Sequence, residues 1–194
     1  MLIKLLSDVD KKHLLELSRL LAMADKPLLW DGKTSDEFSS STDLNALSIR
    51  EDDQERELIA ELESSAGVAR TNTFGLNFAP FTLTSDVRER LIEVLKTYPI
   101  PKMEKPETRV QAATTVLKEL LKGKTFELLS APKVILFELL LVALRDGHIS
   151  SIEWALLKEY QRHHQLEDFI FDDLLERAET LNQEVSKTIA IILE

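Results

Sequence analysis

The chain has 194 residues, 44% hydrophobic and 30% charged, with five glycines and no cysteine. That length and balance predict a globular fold that buries a sizeable core without disulfides or a structural metal, and the absence of cysteine excludes thiolate catalysis and Cys-type zinc sites. A net charge of −10 sets the chain against phosphate backbones and anionic lipid, so neither a nucleic-acid partner nor membrane insertion is expected.

The N-terminal run Met1-Leu2-Ile3-Lys4-Leu5-Leu6 turns polar at Ser7 and Asp8, too soon for a secretory leader. Together with the missing cysteines it points to a cytoplasmic protein. Leu5 to Ala24 has apolar residues at helical spacing, with Asp8 or Asp10 as the expected cap. Pro27 ends that helix. Residues 25–42 form a polar connection with Asp31-Gly32, and Thr34 and Glu37 stand at capping-box spacing. Leu44 to Ala66 reads as helix with a break near Arg50, and its acidic stretch 51–57 reads as a solvated face. Gly67 to Leu83 reads as a long loop whose Phe74, Phe78 and Phe81 anchor it to the core.

A helix over Val87–Thr97 is expected to be capped by Ser85 or Asp86, and Tyr98-Pro99-Ile100-Pro101 to be an extended break. Pro106 opens the next helix and Gly123 closes it. Basic residues recur between Arg88 and Lys124, among them Lys96, Arg109 and Lys118. Glutamates alternate with them and no aromatic platform accompanies them, so they read as solvated helix surface. Phe126 to Ser130 is a turn. Lys133 to Arg145, opened by Pro132, is apolar nearly all round and belongs at the centre of the fold. Its apolar run from Val134 to Leu144 is too short to cross a membrane. Asp146-Gly147 stops it, and Ser150 with Glu153 makes a capping box for a helix to His164. Segments 166–181 and 183–193 are helical, either continuous or kinked near Asn182. No segment shows convincing strand alternation. The expected fold is all-α, a compact multi-helix bundle in one domain over 1–194.

Leu14 to Asp25 and Ile135 to Asp146 are both apolar helices ending on Asp; Asp146-Gly147 leads directly to Ser150 and Glu153, whereas Pro27 to Trp30 intervene before Asp31-Gly32, Thr34 and Glu37. Two pseudo-repeated helix-turn-helix units are one reading; chance similarity between leucine-rich helices is the other. The stretch from Leu141 through Asp146-Gly147-His148-Ile149 to Glu153, with two amphipathic helices after it, resembles the TerB-like (tellurite-resistance B) helical family. The likeness is best over 132–194 and looser over 14–63. Pro27 to Trp30 interrupt the first turn, and Arg145 stands where that family often has a small residue. The resemblance implies a helical bundle linked to stress and toxic-oxyanion resistance, with acidic turns that bind divalent cations, and with no established reaction.

Asp25, Asp31, Asp146 and Glu153 are therefore the candidate metal residues, for Ca²⁺ or Mg²⁺. Helix stopping explains Asp146 as well as a metal does, and the capping box explains Glu153 better. Glu159, His163 and Glu167 fall at i, i+4 spacing suited to Zn²⁺, though a solvated helix face explains them better. No nucleophile elbow, phosphate loop or dinucleotide fingerprint is present, so an enzyme is not expected. Three functions follow in order: a TerB-like module binding a divalent cation or a basic partner; a protein-interaction scaffold without metal; and a metal-assisted hydrolase using Glu138. Partner identity and oligomeric state are left open.

Overall fold

The computed structural model describes residues 2–50, 53–65 and 83–193, and of these the side chains of 53–55, 58, 65 and 83–86 are left aside. Among the described residues are eight α-helices and one two-stranded sheet, the all-α bundle expected from the sequence. The proposed 67–83 loop falls outside them apart from Leu83, as does part of the acidic stretch 51–57.

α1 spans Asp8–Met23 behind a 3-10 turn at Ile3–Leu5. Its cap is Ser7, whose hydroxyl accepts the Asp10 backbone N–H, so neither aspartate caps it. Asp10 instead accepts a hydrogen bond from that hydroxyl at 2.8 Å. Leu14, Leu17 and Leu21 recur at helical spacing and are all buried.

A short hairpin, not expected from the sequence, follows α1 within the all-α bundle. β1 (Leu28–Trp30) pairs antiparallel with β2 (Leu47–Ile49), Leu28 opposite Ile49 and Trp30 opposite Leu47. Leu28 and Trp30 point into the core, while Leu29 between them does not. Each strand is three residues long, too short to show alternation in the sequence. β2 takes up part of the stretch expected as helix from Leu44, and α2 spans Asp53–Ser65. The buried Arg19 pairs with Glu63 and fastens α2 to α1.

α3 (Leu83–Lys96) begins before Ser85 and Asp86, which therefore lie inside its first turn rather than capping it. α4 (Ile100–Met103) occupies what reads as an extended break. Pro99 and Pro101 fall at its cap and first turn, where proline's missing N–H costs nothing. α5 (Pro106–Leu121) ends at Gly123, which takes φ +72°.

α6 (Ala131–Ala143) is the central helix, packed by α1, α7 and α8. Glu138 in its middle is buried. It accepts the Leu2 backbone N–H, and so ties the Ile3–Leu5 turn to α6. Burial raises its carboxyl above the usual range, while the backbone N–H groups of Leu2 and Ile3 pull it back. α7 (Ser151–His163) and α8 (Asp168–Leu193) complete the chain; α8 is continuous through Asn182, whose amide donates to the Leu144 carbonyl at 2.9 Å.

The pairings fix helix directions. The Tyr160 hydroxyl donates to the Pro132 carbonyl, so α7 runs back along α6. Arg109, near the start of α5, reaches the end of α1, and Lys118 meets Glu159 on α7 at 3.4 Å. The C-termini of α1 and α6 and the N-termini of α5 and α7 thus share one end of the bundle.

Candidate functional site

That shared end gathers three of the four candidate acids. α1 stops because Pro27 cannot continue it, leaving Asp25 exposed just past its last carbonyls. α6 runs into a 3-10 turn at Leu144–Asp146, which Gly147 ends with φ +83°. Glycine adopts that left-handed backbone without strain, as a helix stop requires. Asp146 is exposed there.

Glu153 opens α7. Its carboxylate accepts the Ser150 backbone N–H at 2.8 Å, and its own N–H donates to the Ser150 hydroxyl at 3.3 Å, completing the capping box expected from the sequence. Burial pushes the Glu153 carboxyl up to about 7. The Ser150 backbone N–H opposes that rise, and the negative charges of Asp25 and then Asp146 reinforce it. Asp25 and Asp146, far apart in sequence, therefore act on one carboxyl.

Asp31 is placed differently. Asp31 and Gly32 have φ +55° and +75°, and Trp30 and Lys33 exchange backbone hydrogen bonds across them at 2.8 and 3.0 Å. This is a hairpin-type turn with both central residues left-handed. It is not a helix stop like Asp146-Gly147, and Asp31 is not among the charges acting on Glu153. The Thr34–Glu37 box forms, but around a three-residue 3-10 helix, so the two acidic turns are not equivalent units.

A cation already sits at this end, and the sequence hid it. Arg109 belongs to the stretch read as solvated surface, yet it is 4% exposed. Its Nε donates to the Ala24 carbonyl at 2.9 Å, and one terminal nitrogen to Ala24 and Met23 at 2.7 and 3.1 Å. It thereby satisfies the open carbonyl end of α1, where a cation is favoured. Burial lowers its pKa, and the charges of Asp25 and Glu104 act against that. The only sequence signal is its position one turn into α5, next to Val110 and three residues before the apolar Ala112-Ala113 pair.

Asp25 and Asp146 lie on helix carbonyl ends, where negative charge is unfavourable. Among the described residues, no three His, Asp or Glu are grouped to hold a metal ion. The proposed zinc face does not form as a helix face either: α7 ends at His163, and Glu167 lies beyond it. Glu159 is engaged by Arg162 and Lys118. His164 instead packs against Tyr160 and Phe126, with ring centres 4.5 and 5.2 Å away. A core void of about 10 Å³ between Leu17, Leu117, Leu139 and Leu157 has room for no more than one water.

No family model, curated protein or solved structure matches this chain. No helix among the described residues is long and apolar enough to cross a membrane.

Proposed function

We propose that this chain is a non-catalytic, TerB-like binding module whose acidic end receives a cationic group of a partner protein. One observation carries the reading: the ends of α1 and α6 bring Asp25 and Asp146 to the buried Glu153 carboxyl at the start of α7, where burial first and then these two charges push it up. A cation placed among Asp25, Asp146 and Glu153 relieves that repulsion, and one cation at this end, Arg109, is engaged by the α1 carbonyls. A lysine or arginine side chain suits this arrangement better than a bare divalent ion. Ca²⁺ and Mg²⁺ need several oxygens converging at one point, whereas a long cationic side chain needs only a field. The TerB-like assignment draws support from the residues that carry it, which form a helix stop at Asp146-Gly147 and a capped helix from Ser150.

The test is calorimetric titration of the whole chain with a lysine- and arginine-rich helical peptide, and separately with CaCl₂ and MgCl₂. The expected result is salt-sensitive peptide binding with proton uptake or release near pH 7, weakened at least about tenfold in the Asp25→Asn, Asp146→Asn double variant. Metal binding without peptide binding would transfer the site to the divalent-cation reading. Peptide binding that ignores the double variant would remove the acidic end from the function.

A further inference from the structure

α8 outruns the bundle. Its inner part is held: Phe171 and Ala178 are fully buried, Leu174 is partly so, and Asn182 makes the last hydrogen bond back to the body, at Leu144. Every described residue from Gln183 to Leu193 is exposed. At 1.5 Å per residue this leaves a free helix of about 16 Å.

The free part is not polar. Leu181, Val185 and Ile189 are 43–50% exposed, and Ile191, Ile192 and Leu193 are 73–80% exposed. Phe171, Leu174 and Ala178 begin an alternating spacing of three and four residues, which Leu181, Val185, Thr188 and Ile192 continue. That is a heptad seam. The face that packs α8 onto α6 therefore runs on past the end of α6, with no described residue beneath it. Such a seam needs another helix.

We propose that the free end of α8 pairs antiparallel with the same segment of a second copy of this chain. Charge selects this occupant. Between Leu181 and Leu193 the only charged residues are Glu184 and Lys187, which pair with each other at 2.7 Å. The segment thus attracts no strongly charged partner and does not repel its twin. A helix lying on anionic lipid carries a cationic polar face, which one paired lysine does not supply. Antiparallel pairing also sends the two bodies, each part of a chain with a net charge of −10, to opposite ends. Leu181 then meets Ile192 of the other copy, and Val185 meets Thr188. Covering the seam side chains Leu181, Val185 and Ile192, with Ile189 and Ile191 at their flanks, on both copies hides on the order of 800 Å², the range of a weak, concentration-dependent interface.

Sedimentation equilibrium of the full chain tests this. The mass is expected to rise with concentration toward twice the 22.1 kDa of one chain. Val185→Glu with Ile189→Glu is expected to hold it at 22.1 kDa while leaving the thermal transition of the body in place. Since the chain has no cysteine, oxidising a mixture of Leu181→Cys and Ile192→Cys proteins reads the orientation. Mixed disulfides are expected in excess over either homodimer. A monomer at all concentrations, a dimer unaffected by the double glutamate variant, or homodisulfides alone would each overturn the proposal. So would a monomer whose α8 is protected only by phosphatidylcholine vesicles.

Discussion

Glu153 carries two jobs that a single substitution separates. Glutamine keeps the side-chain half of a capping box and removes the charge. Because the Glu153 pKa is raised in the folded chain, the charged form is the disfavoured one. The penalty is absent below 4.5 and develops as the pH rises through 7. Glu153→Gln is therefore expected to stabilise the fold by about 1–2 kcal/mol at pH 8, allowing for partial solvent screening, and to have little effect at pH 4. Urea denaturation at the two pH values checks this. His164 acts with the opposite sign. Burial first, then the charges of His163 and His13, lower it to about 4, so its contribution is intact above 6.5 and lost as the pH falls toward 4. His164→Phe should flatten the acid limb of the stability profile. Arg109→Met should cost about 2–4 kcal/mol, since it leaves two backbone carbonyls at the α1 terminus without their charged donor. A variant as stable as the parent would show that water caps α1 equally well.

Among the elements, those with strong local chemistry were legible in the sequence. α6 declared itself by an unbroken apolar run, α7 by Ser150 and Glu153, and α5 by Pro106 and Gly123. The hairpin was not legible. Leu28-Leu29-Trp30 and Leu47-Ser48-Ile49 are stabilised by each other across 16 intervening residues and by burial of Trp30, which packs edge-on against Phe38 at 5.2 Å. Local periodicity carries no trace of such a pairing. The candidate site divides in the same way. The cap at Glu153 is a local pattern. Its coupling to Asp25 and Asp146, and the separation of Asp31 from them, depend on which helix ends the bundle brings together. Trp30→Ala is expected to cost about 3–5 kcal/mol in a denaturant titration, whereas Asp31→Gly, which relieves a left-handed non-glycine residue, should be neutral or slightly stabilising. A large loss from Asp31→Gly would mean that its side chain holds the turn.

At the scale of the whole molecule, the same end of the bundle concentrates acid and releases the free part of α8, through the Asn182 contact beside the Leu144–Asp146 turn. Burial is the largest cause of the raised Glu153 carboxyl, and the convergence of α1 and α6 adds to it by bringing Asp25 and Asp146 close on their carbonyl termini. A carbon-detected NMR titration of the Glu153 carboxyl, in the parent chain and in the Asp25→Asn, Asp146→Asn variant, measures it directly. The expected midpoint is about 7 in the parent and clearly lower in the variant. A parent midpoint near 4.5, or one that the variant leaves unmoved, would contradict the gathering of these acids into one site.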